Sequence, residues 1–348
     1  MKNRLVLIAL LILLPALPQA QTLTAYHNTV PGGYNFWVST PADYDSLKAD
    51  KPIILFLHGA SLCGNNLERV RRYGPLHALA MGKQIDAVII APQNPSGAWK
   101  PERINRVVDW VYSHYSGDTN RFYVIGMSLG GYGTIDYSAA YSHRIAAAMA
   151  LCGGGNPKNF CDLNEIPLWI LHGTADHVVG IEQSQKVVNS MARCGDTTRL
   201  RFTKLTGVSH SGLARAFYLP ETYDWLFQHR LDTPDRPVSH EYDITVDLLH
   251  KAYRNIDRKS NKLEVVNSAA KQGKESQNND STTVSTTNST GNAAMTDGDG
   301  EAKYYTIREG DTLSAIARKH HTTVRALCRL NGIKESTLLR IGRRLRVR

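Results

Sequence analysis

The residues Gly126-Met127-Ser128-Leu129-Gly130 have the types and spacing to make an alcohol reactive. They follow a short apolar run, Phe122-Tyr123-Val124-Ile125, and precede a stretch that reads as a helix. A serine between two glycines at a strand-to-helix junction can stand on a sharp turn with its hydroxyl presented outward; bulkier neighbours would clash there. The chemistry implied is acyl transfer through serine. A serine hydroxyl is a weak nucleophile near neutral pH, so it needs an imidazole to take its proton and a carboxylate to fix the imidazole tautomer.

Two later segments supply those groups, each just past an apolar run. Leu168-Trp169-Ile170-Leu171 leads into His172-Gly173-Thr174-Ala175-Asp176, and residues 202–205 lead into Gly207-Val208-Ser209-His210. The expected roles are Ser128 as nucleophile, His210 as base and Asp176 as the group that orients it. A turn serine, a helix-capping aspartate and a loop histidine are the bland alternatives, and Asp176 is able to cap and orient at once. Stabilising the oxyanion requires two amides. The expected donors are Leu129, just after the nucleophile, and Ala60 in His58-Gly59-Ala60-Ser61, with Ser61 close behind. His58 and His172 read as loop-holding groups, Trp99, Tyr132 and Trp169 as core or pocket wall, and His114 and His143 as surface. No His/Asp/Glu set has metal-ligand spacing, so neither a metal nor an organic cofactor is expected.

The elements that must position these groups are legible from apolar runs. Residues 53–57, 87–90, 122–125, 146–151 and 168–171 are almost wholly apolar, as strands covered on both faces are. Between them, Ile104, Val107, Val108, Val111 and Tyr115 recur at helical spacing, and 131–141 and 181–191 read as further helices. Strand and helix in alternation predict an α/β fold: a doubly wound, mostly parallel sheet. An N-terminal hairpin is expected around 34–38, with Pro31-Gly32-Gly33 as its turn.

The region 51–226 resembles the α/β-hydrolase fold, in its dienelactone-hydrolase and feruloyl-esterase-like branch of secreted esterases. The resemblance is carried by His58-Gly59-Ala60, by Gly126-Met127-Ser128-Leu129-Gly130-Gly131-Tyr132-Gly133, by Cys152-Gly153-Gly154-Gly155, by His172-Gly173-Thr174-Ala175-Asp176 and by His210. It implies the triad Ser128, Asp176 and His210. The loop after His-Gly-Ala usually carries a glutamate-arginine pair in that family; here it reads Leu62-Cys63. For this chain the resemblance therefore does not carry over the shape and charge of the substrate mouth.

The formal charge of +10 is not spread evenly. Residues 302–348 hold twelve Lys or Arg against three Asp or Glu. The anion-attracting part is thus a small C-terminal module, and the rest of the chain is close to neutral. Tyr304-Tyr305-Thr306-Ile307 is strand-like, Leu313, Ile316 and Ala317 form a helical stripe, and Val324, Leu327 and Leu330 form a second one ending at Asn331-Gly332. The alternating 340–347 reads as a closing strand. This βααβ unit, spanning 303–348, strongly resembles a LysM domain. The resemblance implies binding of N-acetylglucosamine-containing glycans, chiefly peptidoglycan, by Gly310, Asp311, Thr312, Leu313, Asn331, Gly332 and Ile333. Nucleic acid is disfavoured as a partner.

Residues 1–20 have a basic start, a short apolar run and a small-residue cleavage site, the signature of a signal peptide rather than a membrane anchor. The expected organisation is a hydrolase domain at 21–232 and a linker at 233–302. That linker is polar and mostly disordered, with one more helix near 241–256. An exported chain permits disulfides; of Cys63, Cys152, Cys161, Cys194 and Cys328, the pair Cys152 and Cys161 is the easiest guess. Together these readings predict a secreted or periplasmic, envelope-associated serine esterase acting on acyl groups of carbohydrate. The competing expectations are a prolyl-oligopeptidase-type peptidase and a non-catalytic glycan-binding protein.

Overall fold

The computed structural model describes residues 21–254, 263–267 and, towards the C-terminus, 304–307, 313–320, 322, 324–331, 333 and 344–347. The expected signal peptide, most of the expected linker, and Gly310, Asp311, Thr312 and Gly332 lie outside the described residues. Among those described, no helix is long and apolar enough to cross a membrane. They form two compact units.

The larger unit is built on nine strands: β1 (Thr22–Tyr26), β2 (Asn35–Thr40), β3 (Ile53–Leu57), β4 (Val88–Gln93), β5 (Phe122–Met127), β6 (Ala147–Leu151), β7 (Leu168–Gly173), β8 (Leu200–Leu205) and β9 (Glu264–Asn267). Their order across the sheet is β8-β7-β6-β5-β3-β4-β2-β1-β9. β3 to β8 run parallel, and β2 enters antiparallel between β4 and β1, so the N-terminal hairpin is present as expected. The crossovers carry α1 (Pro75–Ala80), α2 (Pro101–His114), α3 (Leu129–Ala140) and α4 (Glu182–Arg193), and α5 (His210–Leu213) and α6 (Pro220–Phe227) follow β8. The chain steps from β3 out to β4, then back past β3 to β5. Right-handed crossovers in opposite directions put helices on opposite faces, which is the doubly wound arrangement.

Burial agrees with this layering. Alternate residues Ile54, Phe56, Ile89, Tyr123, Ile125, Met149 and Trp169 join one core with Leu76, Phe217 and Trp225. Their neighbours Leu55, Leu57, Val88, Ile90, Val124 and Ile170 are equally buried but point to the other face. Covered on both sides, these strands can be apolar throughout, which is why the runs were readable.

Two features of the segment beyond residue 232 differ from a free linker. Val238, Ile244, Leu249 and Ala252 are buried in the same core, and α7 (Val246–Lys251) lies within the expected 241–256 helix, its cap Thr245 accepting from the Leu248 amide. Then β9 adds in parallel to β1 at the sheet edge. The main chain of β9 uses the open edge of β1, so its polar sequence does not matter to pairing.

The smaller unit pairs β10 (Tyr304–Thr306) with β11 (Arg344–Arg346) antiparallel and adds α8 (Leu313–Lys319) and α9 (Val324–Asn331). Ile307, Leu313, Ile316, Ala317, Leu327, Cys328, Leu345 and Val347 form its core. Leu330, expected on the inner stripe, is exposed.

The disulfide corrects the sequence expectation. Cys161 bonds Cys194 at the end of α4, across a separation of 33 residues, while Cys63, Cys152 and Cys328 are in no disulfide among the described residues. Cys152 is fully buried. Closing a loop of this length contributes about 3–4 kcal/mol through the unfolded chain. Cys161→Ser with Cys194→Ser should therefore lower the urea midpoint without changing the folded spectrum by circular dichroism. An unchanged midpoint would refute a stabilising role.

Candidate active site

Ser128 sits between β5 and α3 with φ 58° and ψ −123°, a left-handed conformation that a non-glycine residue holds only under constraint. The constraint is visible. Ser128 N–H donates to Leu151 O at 2.9 Å, and Ser128 O accepts from Tyr132 N–H at 3.0 Å, the first bond of α3. Gly130 passes so close to β3 that a Cβ there would lie 1.8 Å from Leu57 O, so only glycine lets the helix start here. The reversal of winding falls between β3 and β5, where the carboxyl ends of parallel strands leave a crevice. Ser128 stands at that crevice.

The loops after β7 and β8 interlock. Thr174 N–H donates to Leu205 O and Ala175 N–H to Val208 O, and a Cβ on Gly173 would lie 2.0 Å from Val208 O. This close approach brings Asp176 and His210 together: His210 Nδ1–H donates to Asp176 Oδ2 at 2.8 Å. The other oxygen, Oδ1, accepts from the amides of Val178 and Val179, each at 2.9 Å. Those amides belong to the turn before α4, whose N-cap is Ile181, so Asp176 holds a turn and the imidazole but does not cap the helix. Burial works to raise the Asp176 pKa, yet the two amides and His210 bring it below the usual carboxylate range.

Nδ1 of His210 is thus committed to the carboxylate, leaving Nε2 to exchange a proton. Cys152 ties the parts together. Its Sγ, a carboxylate oxygen of Asp176 and a ring nitrogen of His210 lie within 4.8 Å of one another, and its thiol also faces the Ser128 backbone. Sequence reasoning cast Cys152 as a disulfide partner; its positive φ of 40° is the local mark of a special site, and that is invisible in composition. Among the described residues these three side chains are the one group able to offer a metal three ligands. Burial pushes the thiol well up, and the Asp176–His210 hydrogen bond already uses the atoms a metal would take.

The expected oxyanion donors lie at helix starts. Leu129 opens α3, and Ala60 opens the 3₁₀ turn Ala60–Leu62, whose first bonds come from Leu62 and Cys63 to Gly59 O and Ala60 O. The amides of Leu129, Ala60 and Ser61 thus precede the first intrahelical donors. A Cβ on Gly59 would lie 3.3 Å from Ser128 Cβ, which fixes how closely this loop approaches the serine. The loop is pinned by Tyr73, whose hydroxyl accepts from Gly59 N–H, and by His58. His58 Nδ1–H donates to Gly59 O at 2.8 Å, its Nε2 accepts from Asn94 N–H at 3.0 Å, and burial holds it neutral with a pKa of about 4. His172 also holds its loop, bonding Ser184 Oγ at 2.7 Å and Val179 O at 2.8 Å, and stands 3.5 Å from Asp176. Trp99 and Trp169 are core residues: Trp99 Nε1–H donates to His58 O and Trp169 packs on Trp225.

In the C-terminal unit, Asn331 is occupied structurally. Its Nδ2 donates to Leu327 O and Arg346 O, and its Oδ1 accepts from Arg346 N–H, clipping β11 to α9. Leu313 is core and Ile333 packs against it. Residues 305–348 match the family model of the LysM domain.

Comparison with known proteins extends to the larger unit. The chain is 24% identical over 172 residues to the bifunctional acetylxylan esterase/xylanase XynS20E of Neocallimastix patriciarum, covering 47% of this chain and 24% of that protein. It thus spans about a quarter of the curated relative. Among solved structures, a thermostable esterase superposes with TM-score 0.49 at 22% identity, covering 60% of this chain and 63% of the other. The S954A mutant of the feruloyl esterase module from Clostridium thermocellum, complexed with sinapinate, gives TM-score 0.46 at 17% identity, covering 60% and 88%.

Proposed function

We propose that the chain is an exported serine esterase that removes acyl groups from carbohydrate and is held at glycan by its LysM module. The observation that carries this reading is the His210–Asp176 hydrogen bond of 2.8 Å, linked through Cys152 to the backbone of Ser128, itself held at φ 58° on a strand-to-helix turn. Ser128 Oγ attacks the ester carbonyl carbon while His210 Nε2 takes its proton. Charge on the carbonyl oxygen is met by the amides of Leu129 and Ala60. The tetrahedral species collapses as His210 returns the proton to the leaving alcohol, and water releases the acid from Ser128 by the same steps. Asp176, kept anionic by its amide donors, stabilises the imidazolium throughout.

Carbohydrate as the alcohol part is supported by the resemblance of the larger unit to part of an acetylxylan esterase/xylanase and by the LysM match at 305–348. The C-terminal charge of twelve Lys or Arg against three Asp or Glu suits an anionic envelope. The test is covalent labelling. Full-length protein treated with a fluorophosphonate should carry one label, mapped by mass spectrometry to Ser128, and should cleave p-nitrophenyl acetate far faster than a p-nitroanilide peptide. An unlabelled protein refutes the enzyme, and preference for the anilide refutes the esterase. Truncation after Gly300 should abolish pelleting with peptidoglycan; undiminished pelleting would remove the anchor role.

A further inference from the structure

We propose that a cavity of about 160 Å³ at the same rim of the sheet is a subsite for a neutral sugar ring in the alcohol part of the ester, a role that rests on the esterase reading above. It is lined by Asn28, Tyr34, Asn35, Asn65, Gln93 and Arg103, together with Gly33, Gly64 and Pro95. Topology sets its place. Gln93 ends β4 and pairs with Asn35 at the start of antiparallel β2, so both stand at the carboxyl edge of the parallel strands, as Ser128 does. The loop after β3 joins the two sites directly: it begins with the amides of Ala60 and Ser61 and reaches the cavity at Gly64. Four residues of chain span at most ~14 Å even when fully extended.

The walls are fixed before any ligand arrives. Gln93 Nε2 donates to Leu62 O at 3.1 Å and Asn66 O at 2.7 Å, and Gly64 N–H donates to Asn94 O at 3.2 Å. Arg103 donates to Gly33 O at 2.8 Å and stacks over the Tyr34 ring, 4.2 Å from its centre. Tyr34 OH accepts from Lys100 N–H at 3.1 Å, and Asn28 N–H donates to Asn35 Oδ1 at 2.7 Å.

The leftover chemistry selects the ligand. With both Nε2 hydrogens given to carbonyls, the orientation of the Gln93 amide is set and this wall is rigid. The lining has no carboxylate, which disfavours a cationic ligand, and its one cation, Arg103, is already engaged by Gly33 O and the Tyr34 ring, which disfavours a bare anion. The amides of Asn28, Asn35 and Asn65 each offer donor and acceptor together. Several hydroxyls on one compact ring, each able to give and accept, match that set, and the volume admits a single ring.

The experiment compares kcat/KM on a methyl O-acetylglucopyranoside with kcat/KM on p-nitrophenyl acetate in the full chain. Asn65 is exposed on the loop, so Asn65→Trp fills the cavity and Asn65→Ala removes one amide. The ratio of sugar ester to nitrophenyl ester should fall at least tenfold for Asn65→Trp and about threefold for Asn65→Ala. An unchanged ratio in both variants overturns the subsite. If wild type cleaves neither ester, the esterase reading fails, and the cavity is judged by saturation-transfer NMR with methyl glucopyranoside, which lacks the N-acetyl group associated with LysM ligands. Transfer that Asn65→Trp suppresses supports the subsite; transfer that is absent, or undiminished in the variant, overturns it.

Discussion

Ser128→Ala should reduce kcat for ester hydrolysis by about a millionfold, to the level sustained by binding and oxyanion donors alone, with KM nearly unchanged. The loss is large because, in the proposed triad, serine, imidazole and carboxylate act as one unit, so removing the nucleophile also idles the other two. Asp176→Asn is the more discriminating variant. An amide at this position can still accept from Val178 and Val179 through one oxygen, so the turn before α4 survives. Its NH2 group would then face His210 Nδ1 as a donor, forcing the opposite tautomer and placing the proton on Nε2, where the serine proton must go. The expected fall in kcat is about 10⁴-fold. A merely structural aspartate would predict a lower melting temperature with kcat per folded molecule little changed. Stopped-flow or steady-state kinetics on active-site-titrated protein separates the two outcomes. A kcat within tenfold of wild type for Asp176→Asn would refute its orienting role.

Why these residues were readable from sequence, and others not, follows from what each interaction depends on. The strands β3 to β7 are local and apolar because both faces are covered, and the positions just past the parallel strands inherit a shared rim from the topology alone. Asp176 and His210 could therefore be assigned to one rim from their places after β7 and β8, and a hydrogen bond joins them there. Cys152 could not. Its value lies in a left-handed backbone conformation and in packing against groups from two other loops, neither of which leaves a periodic trace. The same holds for the disulfide: Cys161 meets Cys194 only because α4 returns its end to the β6–β7 connection. β9 is harder still, since Glu264–Asn267 has only two strongly strand-forming residues and Val265 stays half exposed. It is a strand because β1 presents an edge. The Asn331 clip in the C-terminal unit has the same origin, a side chain answering to a distant main chain.

Acid should destabilise the larger unit well before its carboxylates titrate. His58 and His229 share one arrangement: Nδ1–H donates to a carbonyl, Gly59 O in one and Trp225 O in the other, while Nε2 accepts a main-chain amide, from Asn94 and Ser239. Protonating Nε2 would break that amide bond and bury a charge, so burial holds both rings neutral with pKa values of about 4. In the unfolded chain each titrates near its ordinary 6.5. Between those values the unfolded state binds more protons, so stability rises with pH, is complete above about 6.5 and is lost as pH falls towards 4. Each histidine is worth at most about 3 kcal/mol over that window. Asp176, whose folded pKa is depressed, loses its contribution only as pH falls below the ordinary carboxylate value, so its effect begins where the histidine effect ends. Unfolding free energies from urea titrations at pH 7 and pH 4.5 should differ by several kcal/mol, and His229→Gln should flatten the profile. A stability constant across that range would contradict the neutral assignment. Because His58 pins the loop that carries Ala60, the first local opening on acidification should displace the proposed oxyanion donor. Activity on p-nitrophenyl acetate should then fall reversibly at a pH where the β-sheet signal is still intact.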